Sequence, residues 1–216
     1  MHGLHMVHGD LKGVGFFNLL SVQVFTVENQ ANILINQHHR ACLVDFGLST
    51  TVGAGHTNGA NVSFVTVGSR TSLMSFTAGG TPRWMSPELI DPEQFGASDD
   101  RPTKKSDCYA LGMVVYEVCL DVTILGLRVI GLMICQVLLG KPPYWEITNE
   151  GLLIYAIMEG YRPKKPNTAE SLGFTNELWK ILQQSWLPDT SARPDVRIIL
   201  SHLNHATWSW ERRWSV

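Results

Sequence analysis

Residues 8–35 read "HGDLKGVGFFNLLSVQVFTVENQANILI". The left end, His8-Gly9-Asp10-Leu11-Lys12-Gly13, is short, polar and turn-like. The right end, Ala31-Asn32-Ile33-Leu34-Ile35, is a strand-like run. Between them lie Val14–Gln30, 17 residues that are mostly apolar and follow no clear period. The stretch therefore reads as one motif with other material driven through it. What its two ends belong to decides the fold.

The whole chain has 216 residues, 44% of them hydrophobic, which suits one domain or one large lobe with a real core. Only 17% are charged and the formal net charge is −2. There is no basic stripe, so no nucleic-acid partner is expected. The ending "TWSWERRWSV" carries two arginines, too few for a phosphate-tracking patch. Cys42, Cys108, Cys119 and Cys135 are scattered and form no CxxC pair. That pattern predicts buried thiols in a reducing, cytoplasmic setting rather than a disulfide framework or a zinc site. The opening "MHGLHMVHGD" lacks the basic and apolar regions of a signal peptide. Met113–Leu139 is long and apolar enough to span a bilayer. Glu117, Asp121 and Arg128 are costly there, so a buried helix lengthened by an added segment is expected instead of a membrane span.

Along the chain, Ala31–Ile35 and Ala41–Val44 flank "NQHHR" and predict a β-hairpin, with His38 and His39 exposed at its tip. Residues 48–80, rich in Gly, Ser, Thr and Asn, predict a long loop. "SPELI" predicts a short helix with Ser86 as N-cap and Pro87 at its first position. Further helices are expected over "KKSDCYALGMVVYEV", "NEGLLIYAIMEG", "TNELWKILQQSW" and "RPDVRIILSHLNHA". In the second of these, Leu152, Ala156 and Ile157 share a face; in the third, Leu178, Ile181, Leu182 and Trp186 do. A few strands, a long loop and then helices alone give an α+β, mainly helical fold with a small β-hairpin region.

With Val14–Gln30 set aside, the opening stretch becomes "HGDLKGANILI", which puts Asp10, Lys12 and Asn32 at the spacing D-x-K-x-x-N. Then follow "VDFGLS", "GGTPRWMSPEL", "SDCYALG" and "SWLPDTSARP". This ordered series resembles the C-terminal lobe of eukaryotic protein kinases. "GTPRWMSPE" and the W-x-x-D-x-x-x-RP ending look most like the tyrosine-kinase-like branch of Ser/Thr kinases. The resemblance covers residues 1–205 apart from two inserts, with 206–216 as a tail. It implies an ATP- and Mg²⁺-dependent Ser/Thr protein kinase acting on protein substrates in signal transduction.

Phosphoryl transfer needs positioning and charge neutralisation more than covalent catalysis. The resemblance implies that Asp10 accepts the substrate hydroxyl's proton and that Lys12 is a compensating cation near the phosphate. It implies that Asn32 and Asp45 hold Mg²⁺ beside bound ATP, as suits a hard cation. His8, Phe46 and Gly47 complete the two loop motifs. Lys12 and Thr81 fit a Ser/Thr-type cleft. Glu88 and Arg193 are expected to pair, and Asp107 to accept backbone N–H bonds from the catalytic loop. The family pattern has Arg where this chain has Gly9, and that Arg normally clamps a phosphorylated activation loop. Activation independent of such a clamp is the expectation; a harmless, degenerate Gly9 is the bland alternative. His2, His5 and His8 recur every three residues, but packing and a helix end explain them better than a metal face.

The second insert is Val118–Gln136, 19 residues; without it the chain reads "MVVYEVLLGKPPYW". Both inserts begin with Val and end with Gln, whose codons can supply the GT and AG that bound a spliceosomal intron. The expectation is that both are translated introns or gene-prediction errors, because natural insertions concentrate at exposed loop tips. Transcript sequencing across the junctions tests this. No Gly-rich phosphate loop precedes His8, so the N-lobe is expected to be absent and the chain inactive alone. A pseudokinase-like partner-binding module is the alternative function; a membrane-anchored segment is the third.

Overall fold

Lys104–Leu125 forms α2, the longest helix among the described residues, and its side chains join the main core. Cys108, Tyr109, Ala110, Met113, Val114, Val115 and Tyr116 are all buried. A helix apolar on every side belongs inside. In this computed structural model the described residues are 2–18, 23–25, 32–35, 41–51, 82–125, 142–165 and 175–214. Thr81, His38, His39 and most of the expected loop 48–80 lie outside them, as do residues 126–136 of the second insert.

The strands are β1 (Met6–Val7), β2 (Val14–Asn18), β3 (Gln23–Phe25), β4 (Ile33–Ile35), β5 (Ala41–Leu43) and β6 (Thr50–Thr51). β4 and β5 pair antiparallel, Ile33 opposite Leu43, which is the expected hairpin. Val14–Gln30 showed no period in sequence, yet it supplies two strands. β2 runs parallel to β4, with Val14 opposite Ile33, and β3 folds back antiparallel on β2. The sheet order is β3-β2-β4-β5. β1 pairs with β6, bringing Val7 opposite Thr50.

The remaining helices are α1 (Pro87–Ile90), α3 (Glu150–Met158), α4 (Asn176–Ser185) and α5 (Val196–Trp214). α3 starts at Asn149 and α4 at Thr175, whose side chains accept the N–H of Leu152 and Leu178. Ser86 stands at the N-cap of α1 with extended backbone, but its side chain makes no capping bond. α4 buries Leu178, Ile181 and Leu182, followed by Trp186, as its spacing predicts. In α3 the inward face is Leu153 and Ile157, while Leu152 is exposed. The nearly continuous apolar run of α3 gives no strong face, so only packing fixes its rotation.

α2 passes through the expected insert boundary at Val118 and stays helical to Leu125. Among the described residues no helix is long and apolar enough to cross a membrane. α5 continues past Ala206 into the aromatic ending as far as Trp214. One core joins Trp84, Tyr109, Met113, Leu153, Leu182 and Trp186. α2 approaches α4 so closely that a Cβ on Gly112 would lie 2.7 Å from Trp186 Nε1, so Gly is required there. Of the thiols, Cys108 is buried and Cys42 is exposed, so burial holds for the first and not the second. Cys42 sits on β5, the edge strand of the four-stranded sheet, where a residue is less easily covered.

Candidate functional site

The loop after β1 is fixed from behind by one carboxylate. Asp107 lies in the first turn of α2, buried, and accepts the His8 N–H at 2.8 Å and the Gly9 N–H at 2.9 Å. Charge-assisted bonds of this kind are stronger than neutral ones. His2, which the sequence did not single out for this place, also reaches Asp107, Nε2 to Oδ2 at 2.9 Å.

His8 is fully buried. Its Nε2 lies 3.0 Å from the Val44 carbonyl, and its Nδ1 accepts the Asp10 N–H at 3.3 Å. A carbonyl can only accept, so these two bonds define one tautomer, with the proton on Nε2. The ring packs 5.2 Å from that of Phe46. His8 thereby joins the loop carrying Asp10 to the segment carrying Asp45.

Asp10, Lys12 and Asn32 meet at one atom. Asp10 Oδ2 accepts from Lys12 Nζ at 2.9 Å and from Asn32 Nδ2 at 2.9 Å. Asn32 Nδ2 also donates to the Asp10 carbonyl at 2.6 Å. Asn32 is buried, its N–H donates to the Lys12 carbonyl at 2.9 Å, and its carbonyl accepts the Val44 N–H at 2.9 Å. The inserted residues 14–30 therefore do not carry Asn32 out of reach of Asp10. β2 leaves the loop at Gly13 and pairs along β4, and β3 pairs on the far side of β2, so neither strand wedges between Lys12 and Asn32.

Asp45 follows Val44 directly, is exposed, and has φ +59°, a conformation uncommon for a residue with a Cβ. Its Oδ1 accepts the Gly47 N–H at 3.4 Å. The Asn32 amide nitrogen is committed to Asp10, so Oδ1 is the atom left to offer. With the Asp45 carboxylate it gives two hard oxygen donors on segments joined through Val44. That donor set fits Mg²⁺, which takes few protein ligands and fills its shell with phosphate and water. Among the described residues there is no cluster of three or more His, Cys, Asp or Glu able to hold a metal. His2 and His8 are turned to Asp107 and Val44 respectively.

Gly9 is a required glycine. Its φ is +84°, and a Cβ would lie 2.8 Å from the Leu48 carbonyl oxygen and 2.9 Å from Pro102 Cγ. Ser49 Oγ donates to the His8 carbonyl at 3.1 Å, a second tie between the loop after β1 and the segment after Gly47.

Farther down, Glu88 and Arg193 form a buried bidentate pair at 2.6 and 2.7 Å. Arg193 Nε also donates to the Leu187 carbonyl at 2.7 Å, and its guanidinium lies 5.2 Å from the Tyr109 ring centre. Arg83 escaped the sequence reading. It donates to the carbonyls of Pro143, Tyr144 and Ile147 at 2.8–3.0 Å, holding the segment before α1 to the turn before α3. A lone Arg between two motif residues gave no periodic signal; its partners are backbone atoms some sixty residues away.

Residues 29–128 match the family model for the protein kinase domain, a span that holds Asn32, Asp45, Glu88 and Asp107 and begins after Asp10 and Lys12. The chain is similar to Ephrin type-A receptor 5 of Rattus norvegicus, 27% identical over 173 residues, 80% of this chain and 13% of that protein. It is similar to the dual specificity protein kinase pyk3 of Dictyostelium discoideum, 25% identical over 203 residues, 94% of this chain and 10% of that protein. A probable serine/threonine-protein kinase of Dictyostelium discoideum is 27% identical over 173 residues, 80% of this chain and 14% of that protein. The chain thus spans only about an eighth of the length of the curated relatives it matches.

Proposed function

We propose that this chain is the catalytic-loop and helical part of a protein kinase that moves the γ-phosphate of ATP to a hydroxyl of a protein substrate. The observation that carries the reading is the convergence of Lys12 and Asn32 on Asp10 Oδ2. Asp10 keeps its other carboxylate oxygen for the substrate hydroxyl and takes its proton. Lys12, already beside that carboxylate, offsets charge as the phosphoryl group arrives. Asn32 Oδ1 and Asp45 would hold Mg²⁺, which when bound neutralises the phosphate oxygens. Lys at position 12 supports Ser/Thr specificity.

The test is phosphoryl transfer from labelled ATP to a mixture of protein substrates, using the full-length gene product and its Asp10→Asn variant. Loss of a general base costs roughly 10²–10⁴-fold. A variant as active as the parent would sink the reading. Hydrolysis of the labelled products separates phosphoserine and phosphothreonine from phosphotyrosine. Tight Mg²⁺-ATP binding with no transfer would favour a partner-binding module.

A further inference from the structure

The loop after β1, the residue before α1 and the first turn of α2 line a small, partly open cavity. Gly9, Asp10, Ser86, Leu89, Asp107 and Ala110 are among its lining residues, and it has room for about one water molecule, about 20 Å³. Ser86 is 1% exposed, and its Oγ is buried without a hydrogen-bond partner among the described residues. A buried hydroxyl left unpaired costs roughly 1–3 kcal/mol, so such atoms are normally satisfied. Ser86 does not cap α1, although it stands where a cap would.

We infer that this cavity is a one-water site that links Ser86 Oγ to the carboxylate of Asp107 and so ties the α1 segment to the catalytic loop. Three observations meet here: a space of one-water size, an unsatisfied hydroxyl lining it, and an acceptor with capacity to spare. The Asp107 carboxylate has about four lone-pair sites. It receives bonds from His2, His8 and Gly9. A water donating to Asp107 and either accepting from or donating to Ser86 has the two partners that buried water needs. The site depends on this geometry alone and stands whether or not the chain transfers phosphate.

The test pairs crystallography at a resolution that shows ordered water with urea unfolding of Ser86→Ala. The inference expects a water peak within hydrogen-bonding distance of Ser86 Oγ and a lower unfolding midpoint for the variant, because the trapped water loses a partner. If the hydroxyl is truly unpaired, Ser86→Ala removes a penalty and raises the midpoint. A dry cavity overturns the inference, and so does a midpoint that rises or stays put.

Discussion

The two stretches that lie between kinase-like motifs, 14–30 and 118–136, start in different structural settings. The first enters between Lys12 and Asn32, at the edge of a small sheet. It contributes the strands β2 and β3, and the loop closes beside them through the Lys12 carbonyl and the Asn32 N–H at 2.9 Å. The second enters a helix, and the helix carries on through the boundary to Leu125. The difference is geometric. A strand edge offers unpaired N–H and C=O groups that a returning segment can use, so its ends come back together. A helix satisfies its hydrogen bonds along its own axis, so α2 needs no outside partner to continue past Val118.

The largest effect should come from the helical half, which has no such tolerance. Arg193→Ala leaves Glu88 charged, buried and unpaired, and should cost roughly 3–5 kcal/mol in denaturant unfolding. A loss below about 1 kcal/mol, the level of a surface pair, would remove the contrast.

In the loop after β1 the sharper probe is backbone shape. Gly9→Ala forces a Cβ into positive φ and against the Leu48 carbonyl, so a loss of roughly 1–3 kcal/mol is expected. Unchanged stability would mean that the loop does not hold this conformation.

Deleting residues 14–30 tests the comparison directly. Lys12 and Asn32 already touch, so joining Gly13 to Ala31 should leave the Asn32 amide protected in hydrogen exchange. Fast exchange at Asn32 after the deletion would show that the added strands hold the loop shut rather than ride on its edge.

The smallest effect is in α2 and depends on pH. Burial pushes the Cys108 thiol from an ordinary value near 9.0 up to about 11. The folded state therefore keeps a proton that the unfolded state gives up. The associated stability is full below about pH 9 and is lost as pH rises towards about 11. Cys108→Ala should flatten that part of the stability curve. Exposed Cys42 should react with a thiol reagent in the folded protein while Cys108 waits for unfolding. Equal reaction rates at the two positions would contradict the packing of α2.

Several features were legible because they are local. The hairpin over β4 and β5 shows in two short apolar runs, and α4 in the spacing of Leu178, Ile181 and Leu182. Motif order also selected Asp10, Lys12, Asn32 and Asp45 as candidates. Other features needed the third dimension. Within period-free Val14–Gln30, Val14–Asn18 is a strand by pairing with the edge of β4, and Gln23–Phe25 by pairing with β2. The rotation of α3 was set by what Leu153 and Ile157 pack against, since apolar residues occur all around it. Arg83 and His2 gained their places from partners far along the chain, a backbone turn and Asp107.

The sequence by itself determined which chemistry-bearing groups exist and in what order: two carboxylates, a lysine and an amide among glycine-marked turns. Tertiary structure decided that Asn32, twenty-two residues beyond Asp10, still donates to it. The physical reason is that sequence separation fixes only the length of chain between two groups. Backbone hydrogen bonds beside β2 set their distance, and here they close it.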